Sequence, residues 1–182
     1  MKKNNELTVQ MYFVTRVKNL PYHECLINKE YREEGLAQVF ISKKMPSGNY
    51  CYAIFLLDVY CLGLKKAIYN YNYDQIDYAD IKDRLIGKQE FIPIDIVAAH
   101  NLIYGMIDHA DDIGFKPHEN FAIVEHILNE DLIDDGIDEV EFGLNGKPHY
   151  VSGPYDDEYR ILKTLEKTVG VGNFEYAIDD DE

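Results

Sequence analysis

The sequence lacks several features by which common protein classes are identified. It contains no Trp and only three Cys, and no apolar run approaches the roughly 20 residues that a membrane-spanning helix needs. The N-terminus also shows no apolar secretory segment. These absences predict a protein without a membrane segment that works in the reducing cytoplasm, where cysteines remain thiols.

Motifs for cofactors and for familiar catalytic sites are absent or incomplete. Cys25, Cys51 and Cys61 form neither a CxxC pair nor a zinc-ligand spacing. There is no GxxxxGK[ST] phosphate loop and no GxSxG motif, and Gly170-Val171-Gly172 lacks the third glycine of a dinucleotide fingerprint. The sequence therefore assigns no cofactor and no metal.

Positive charge is scarce after the first third of the chain. Residues 1–66 carry ten Lys and Arg against six Asp and Glu, a balance of +4, whereas residues 67–182 carry eight against twenty-seven, a balance of −19. Such an acidic surface repels phosphates at long range, which disfavours generic nucleic-acid binding. It keeps the protein soluble, and it is also a possible docking surface for another protein.

The rest of the composition is typical of a globular domain. Apolar residues make up 46% of the chain and charged residues 28%, which argues against extensive disorder. The length suits one domain. We therefore expect a single α+β domain over residues 1–178, followed by an acidic, disordered tail at residues 179–182.

The run Tyr50–Lys65 is the predicted centre of the fold. Its first eight residues are all apolar or aromatic, and a strand that is apolar on both faces belongs inside a covered sheet. Residues 36–43 and 50–60 are predicted to form a central antiparallel hairpin, because the segment between them is rich in turn residues.

Further elements are predicted on either side of this hairpin. Residues 8–17 alternate between apolar and polar and suggest a half-buried strand, and residues 22–28 suggest a second, short strand. Residues 65–69 are expected to start a short helix, residues 70–77 to form a Tyr- and Asn-rich connection, and residues 78–86 to form a helix capped by Asp77.

A helical hairpin is predicted to pack on the sheet. Its longer helix is expected over residues 93–113, opened by Pro93, because apolar residues recur there every three or four positions. Its second helix is expected over residues 118–128, which begin just after Pro117. The spacing of apolar residues in both segments places one face of each helix inward.

The C-terminal part is predicted to contain a small hairpin, a helix and a last strand. The strands of the hairpin are expected at residues 139–142 and 149–152, around the turn Asn145-Gly146. The helix follows, capped by Asp156 or Asp157 and ending near Val169. Residues 174–178 are expected to form the last strand.

The order of these segments, together with several short motifs, resembles a family of uncharacterised bacterial proteins. The motifs that carry the resemblance span nearly the whole chain and are Leu20-Pro21-x-x-Glu24-Cys25, Gly35-Leu36-Ala37, the run Phe55–Lys65, Ala99–Gly105, Gly114–His118, and Phe142-Gly143-x-Asn145-Gly146-Lys147-Pro148 with Gly153-Pro154. No function is known for that family, so the resemblance implies no activity, cofactor or catalytic residue at these positions.

Asp58 is the most suggestive single residue. A carboxylate in an apolar strand is costly unless it is paired or hydrogen-bonded. Asp58 could therefore be a metal ligand or a general base at the end of a central strand. It could equally accept backbone N–H groups near Gly63 or pair with Lys65, and we favour this structural interpretation.

His100 is the second candidate catalytic residue. It lies on the predicted long helix, with Ile96 and Tyr104 four residues to either side, so it belongs at the edge of the buried face. A histidine in this position can transfer protons or bind a metal, but it is more often a hydrogen-bonded residue of the core.

Cys25 is a third, speculative candidate. On a regular strand His23 and Cys25 would point to the same face, and a thiolate needs such a neighbouring base to act as a nucleophile. No third residue that would orient the pair is evident from the sequence.

Two functions follow as hypotheses. The first is a protein-binding or regulatory module that docks through an acidic or aromatic patch on the helical hairpin and the Tyr71–Tyr78 loop. The alternative is a small metal-assisted hydrolase or nuclease-like enzyme, which requires Asp58 and His100 in one cleft. We prefer the binding module, because each candidate catalytic residue has an ordinary structural explanation.

Overall fold

The core of the fold is a five-stranded antiparallel sheet, seen in a computed structural model that describes residues 7–87, 89–129, 131 and 141–178. Its strands have the spatial order β4-β3-β2-β1-β5. They are β1 (Tyr22–Asn28), β2 (Leu36–Lys44), β3 (Tyr50–Asp58), β4 (Gly63–Tyr73) and β5 (Phe91–Pro93). The predicted α+β class and the central hairpin of β2 and β3 are confirmed.

Six α-helices surround the sheet in the described part of the chain. They are α1 (Val9–Arg16), α2 (Tyr31–Glu34), α3 (Gln75–Ile86), α4 (Ile96–Asp112), α5 (Phe121–Val124) and α6 (Glu158–Thr168). Short 3-10 turns follow α1 at Val17–Asn19 and α5 at Glu125–Ile127. None of these helices is long and apolar enough to cross a membrane.

Both faces of β3 are covered, as its apolar sequence predicts. Phe55 and Leu57 belong to the main core, which includes residues of α1, α4 and α5. Tyr52 and Ile54 face the other way and pack in a smaller cluster with Tyr78 of α3. The continuous apolar run is therefore explained by two cores, one on each side of the sheet.

The predicted strand over residues 8–17 is wrong, because these residues form α1. Thr8 accepts the backbone N–H of Met11 and caps the helix. Val9, Phe13 and Val17 are four residues apart, so the same apolar residues that alternate on a strand also lie along one helix face. Phe13 and Val17 are fully buried in the main core.

The predictions of a helix at residues 65–69 and of a connection at residues 70–77 are also wrong. Most of these residues belong to the long strand β4, which pairs with β3, and the last of them begin α3. The aromatic residues stabilise this strand by packing: Tyr69 lies 4.9 Å from Phe13 and Tyr71 stacks on Tyr12 at 4.3 Å between ring centroids.

Two helices begin at aspartate caps that differ from the predicted starts. Asp74, rather than Asp77, accepts the first N–H groups of α3. Asp95 caps α4, while Pro93 ends strand β5. The second helix of the predicted hairpin is shorter than expected, since within residues 118–128 only α5 and a 3-10 turn form.

The C-terminal part forms a parallel unit in place of most of the predicted hairpin. Strand β6 (His149–Val151) pairs in parallel with β7 (Glu175–Ala177), and α6 connects them. The Asn145-Gly146 turn is present, with positive φ angles of 53° and 76°. Glu141 and Phe142 are not in a strand, and residues 139–140 and the tail at residues 179–182 lie outside the described residues.

A third cluster joins this unit to the sheet. Tyr150 and Leu165, from β6 and α6, pack with Cys61 and Leu62, which follow β3. The backbone N–H of His149 also donates to the carbonyl of Tyr60. Asp157 caps α6, as predicted, and β7 confirms the expected last strand.

Candidate functional site

Asp58 is held by the backbone immediately after it. Its carboxylate accepts the N–H groups of Tyr60 at 3.0 Å and Cys61 at 2.9 Å, and its side chain is buried. Burial raises the pKa of Asp58, and these N–H groups oppose that shift. Asp58 therefore shapes the turn between β3 and β4, in agreement with the structural interpretation.

His100 is sealed inside the domain. The N–H of Asn129 donates to its Nε2 at 3.4 Å, and the Tyr22 hydroxyl lies 3.5 Å from the same nitrogen while donating to the carbonyl of Ile127. Burial lowers the pKa of His100 to about 4, and the nearby Lys43 ammonium acts in the same direction. The imidazole is therefore neutral at physiological pH.

Lys43 is a charged neighbour of His100 and Tyr22 and is itself fully buried. Its ammonium donates to the carbonyls of Val17 and Lys18 at 3.2 and 3.1 Å and lies 4.2 Å from the centre of the Tyr22 ring. Burial lowers its pKa to about 8. The donors of Lys43 thus hold the end of α1 against the sheet.

Asp58 and His100 do not share a cleft. Asp58 pairs with Gly63, whose Cα faces the carbonyl of Met106 and the side chain of Ala110 on α4. His100 lies six residues before Met106 on the same helix, about 9 Å along its axis. The end of the sheet that carries Asp58 therefore meets α4 at a different level from His100, and each residue has its own hydrogen-bond partners.

Cys25 and His23 lie on opposite faces of β1. A β-bulge between Tyr22 and Glu24 inserts His23 as an extra residue, so the strict alternation assumed for a regular strand does not hold. His23 packs on Tyr50 on the face of α3, whereas Cys25 contacts the main core. Burial raises the pKa of Cys25 to about 12, so its thiol stays protonated.

The expected docking patch on the Tyr71–Tyr78 loop is not present as an exposed aromatic surface. Tyr71 stacks on Tyr12, and Tyr78 is buried, donates to Glu24 at 2.6 Å and stacks on Tyr50. These tyrosines stabilise the sheet and α3. Among the residues that the structure describes, no group of three or more His, Cys, Asp or Glu is arranged to hold a metal ion.

A different surface combines charge, aromatic rings and a concave shape. A groove of about 420 Å³ lies between the start of β4, the turn after α4 and the first half of α6. It continues, through Gly114, Arg160 and Thr164, into a second depression of about 480 Å³ along α6. We call this surface the basic groove; its cationic side chains are Lys65, Lys116, Arg160, Lys163 and Lys167.

Two hydrogen bonds fix the walls of the basic groove. The N–H of His118 donates to the carbonyl of Leu64 at 3.0 Å, which ties the turn after α4 to the edge of the sheet. Thr168 donates to the carbonyl of Ile113 at 2.7 Å, which ties α6 to the same turn. Gly114 permits this approach, because a Cβ there would lie 2.9 Å from Thr164.

An ion pair lies at one end of the basic groove. Lys65 Nζ is 2.9 Å from Asp156 Oδ2, and both side chains are mostly buried. The N–H of Gly153 donates to the same carboxylate oxygen at 3.0 Å. The Gly153-Pro154 turn therefore lies next to the groove. Lys65 pairs with Asp156, so the alternative in which it pairs with Asp58 is not the observed ion pair.

The other cationic side chains of the groove are more exposed to solvent than Lys65. Lys116 pairs with Asp111, but its side chain is largely exposed. Arg160, Lys163 and Lys167 recur on the solvent-facing side of α6, and none of them forms an ion pair with another described residue. Their positive charge is therefore open to a ligand.

Two tyrosines project beside these cations. Tyr155 is 98% exposed and Tyr159 is 75% exposed. Tyr155 lines the part of the groove beside β4, and Tyr159 lines the part along α6. Exposed tyrosines next to arginine and lysine are typical of protein interfaces, where Tyr and Arg are enriched.

Sequence reasoning missed this surface because its residues come from distant segments. The net charge of residues 67–182 is strongly negative, yet four of their eight Lys and Arg residues converge here: Lys116, Arg160, Lys163 and Lys167. The spacing Arg160, Lys163 and Lys167 on a predicted helix was the one signal that could have found it.

Comparisons with known proteins do not identify the chain: no protein-family model, no curated protein and no solved structure matches it.

Proposed function

We propose that the protein is a binding module that captures an extended acidic segment of another protein in the basic groove. The observation that carries the proposal is the concentration of five cationic side chains and two exposed tyrosines along one concave surface of a chain with a net charge of −15. Charge complementarity selects an acidic partner and steers its approach.

The distribution of exposed apolar residues also supports an interface in the C-terminal part of the molecule. Of the eleven large hydrophobic residues exposed in the described part of the chain, six lie between residues 151 and 178. They are Val151, Tyr155, Tyr159, Val171, Tyr176 and Ile178. A surface that combines exposed aromatic and basic groups supplies the anchors that interfaces use.

An acidic polypeptide suits the surface better than a nucleic acid. The long-range field of the protein is negative and opposes a polymer that carries one charge per nucleotide. A short acidic segment bound in the groove interacts mainly with the cations nearest to it, because salt screens charges beyond the Debye length of about 8 Å at physiological ionic strength.

The enzyme hypothesis receives less support from the geometry. It requires Asp58 and His100 in one open cleft, but His100 is fully buried and the Asp58 carboxylate is occupied by backbone N–H groups. A metal-assisted step would also need several oxygen or nitrogen ligands around one point. The binding module is therefore the function that we propose.

The direct test measures binding of a fluorescein-labelled hexa-aspartate peptide by fluorescence anisotropy at low salt. We expect saturable binding that weakens as salt increases. Reversing three charges of the groove should weaken binding at least about tenfold, since three close ionic contacts are lost. The variant is Arg160→Glu, Lys163→Glu and Lys167→Glu.

A matched variant controls for net charge. Reversal of three exposed lysines outside the groove, Lys18→Glu, Lys29→Glu and Lys44→Glu, changes the formal net charge by the same amount. It should reduce affinity by less than about threefold, because distant exposed charges are screened. Equal losses in both variants, or tighter binding of an oligothymidine than of the peptide, would contradict the proposal.

We also propose a bacterial origin and a cytoplasmic location, as the family resemblance and the composition predicted. The three cysteines support the location, since all are free thiols in the structure. Burial raises the pKa of Cys51 to about 11 and that of Cys25 to about 12, which suits cysteines that serve as packing residues in a reducing compartment.

A further inference from the structure

We propose that a cavity of about 250 Å³, separate from the basic groove, binds a free α-amino acid with an apolar side chain. The cavity lies between α2, the two residues that follow β3, the middle of α4 and residues 141–145, and we call it the α2 cavity. Among the described residues, none lines both this cavity and the basic groove. Its ligand is therefore independent of the partner proposed for the groove.

The α2 cavity presents two opposite charges that are not paired with each other. Arg32 and Glu141 both line it, both are exposed, and neither forms an ion pair with another described residue. The Nε of Arg32 donates to the Tyr31 hydroxyl at 3.1 Å, and its guanidinium lies 5.4 Å from the centre of the Tyr31 ring. A ligand with both a carboxylate and an ammonium group can pair with both side chains, because a guanidinium binds a carboxylate through two parallel hydrogen bonds and a carboxylate accepts from an ammonium group.

The other lining residues of the α2 cavity are largely apolar. Val59 and Met106 are buried and Leu144 is half-buried, and the rings of Tyr31 and Tyr60 also line the cavity. Pockets for drug-sized ligands have volumes of about 300–1,000 Å³, so this smaller cavity suits a smaller molecule. An α-amino acid with an aliphatic side chain, such as leucine, matches the size, the charges and the apolar lining together.

The wall of the cavity at Tyr60 is fixed before any ligand binds. The Tyr60 hydroxyl donates to the carbonyl of Arg32 at 2.6 Å, and the Tyr60 carbonyl accepts the N–H of His149 at 3.0 Å. A Cβ at Gly35 would lie 2.4 Å from the Tyr60 ring, so only glycine lets the end of α2 pack directly against this ring. These contacts hold α2, which carries the cation, beside the residues that follow β3.

The wall formed by residues 141–145 is fixed as well. The N–H of Gly143 donates to the carbonyl of Val59 at 3.1 Å. The ring of Phe142 stacks on His109 with 4.8 Å between ring centroids, and a Cβ at Gly105 would lie 2.9 Å from the same Phe142 ring. The backbone that carries the carboxylate is therefore held against α4 and β3. Because both walls are preformed, binding requires little ordering of the protein.

Isothermal titration calorimetry with L-leucine is the direct test. We expect saturable binding with a dissociation constant on the order of 1 mM or tighter, as for an efficient ligand of this size. Three analogues each lack one feature: 4-methylpentanoate lacks the ammonium group, 3-methylbutylamine lacks the carboxylate, and glycine lacks the apolar side chain. Each should bind at least about tenfold more weakly than leucine, because it loses a charged hydrogen bond or the apolar contacts.

Variants at the two charged residues assign each half of the ligand to its side chain. Arg32→Gln should weaken leucine binding at least about tenfold and leave the affinity for 3-methylbutylamine unchanged, whereas Glu141→Gln should weaken leucine equally and leave 4-methylpentanoate unchanged. Arg16→Gln and Glu119→Gln, at exposed residues outside the cavity, are the matched controls and should change leucine binding by less than about twofold. Urea unfolding verifies that all four variants remain folded.

Backbone amide NMR spectra locate the ligand. Leucine should shift the signals of residues 59–60, 106 and 141–145 and leave those of residues 155–168 in place, and a groove variant with Arg160→Glu, Lys163→Glu and Lys167→Glu should bind leucine normally. Failure of leucine, methionine and valine to bind at roughly ten times the expected dissociation constant would overturn the inference. Analogues that bind as tightly as leucine, or shifts confined to residues 155–168, would do the same. Peptide capture in the basic groove is measured separately, so either proposal can fail without the other.

Discussion

The ammonium of Lys65 and the carboxylate of Asp156 meet at 2.9 Å beside Gly153, at a point where a Cβ would lie 3.0 Å from the carboxylate and 3.2 Å from the ammonium. The pair links β4 to the loop before α6, two elements ninety-one positions apart in the sequence. It therefore fixes one end of the basic groove and makes position 153 dependent on a small residue.

Gly153→Ala is expected to destabilise the protein by about 1–3 kcal/mol, because the added methyl group crowds the ion pair. Urea unfolding measures the change. In the background Asp156→Ala the same substitution should cost clearly less, since the crowded carboxylate is gone. Strictly additive costs in the double variant would show that Gly153 and Asp156 are independent.

Asp58 should tolerate asparagine better than alanine. Alanine leaves the buried N–H groups of Tyr60 and Cys61 without their acceptor. Each unsatisfied N–H group should lower the free energy of unfolding by about 1–3 kcal/mol. Asparagine keeps an acceptor oxygen in the same place and should cost less than about 1.5 kcal/mol. Thermal and urea unfolding of both variants test this, and equal losses would mean that the charge itself is required.

His100 predicts a stability that falls in mild acid. Its folded pKa is lowered to about 4 from 6.5, so between these values the unfolded chain binds the proton and the folded chain does not. The contribution is complete above pH 6.5 and decreases as the pH falls towards 4, by on the order of 3 kcal/mol. Urea midpoints measured across this range should follow that slope.

His100→Gln provides the comparison for this pH dependence. Glutamine does not titrate, so the variant should show a flatter profile between pH 6.5 and 4, even if its stability at neutral pH is lower. Because the test compares slopes, a general loss of stability does not obscure it. A variant with the wild-type slope would assign the acid sensitivity to other groups.

Gly63→Ala should be among the most destabilising substitutions in the chain. Gly63 has a φ of +65°, and a Cβ there would lie 2.6 Å from that of Ala110 and 2.8 Å from the carbonyl oxygen of Met106. The left-handed conformation and the overlap together should cost about 2–5 kcal/mol. Gly48→Ala is the control: its φ is +90°, but no atom lies within 4 Å of the added methyl, so only the conformational cost of about 1–2 kcal/mol remains.

Local signals in the sequence were sufficient for the central part of the fold. The apolar run that starts at Tyr50 and the turn residues before it both act through neighbouring residues. The Asp157 cap and the Asn145-Gly146 turn belong to the same class. Each depends on only a few consecutive residues, so each could be predicted.

The elements that were missed depend on partners far away in the sequence. The residues of α1 have an apolar pattern that fits a strand and a helix equally well, and packing against Tyr69 and Tyr71 decides between them. Parallel pairing of β6 with β7 has no local turn to reveal it. The basic groove is assembled from β4, the turn after α4, and α6. The net negative charge of residues 67–182 gave no indication that basic residues gather on one surface.

The docking of β6 on the residues after β3 also sets an order of events during synthesis. The N–H of His149 donates to the carbonyl of Tyr60, so this contact closes a loop of almost half the chain. The five-stranded sheet, by contrast, uses only residues up to Pro93. A nascent chain can therefore complete its main sheet on the ribosome well before α6, which forms one wall of the basic groove, has been synthesised.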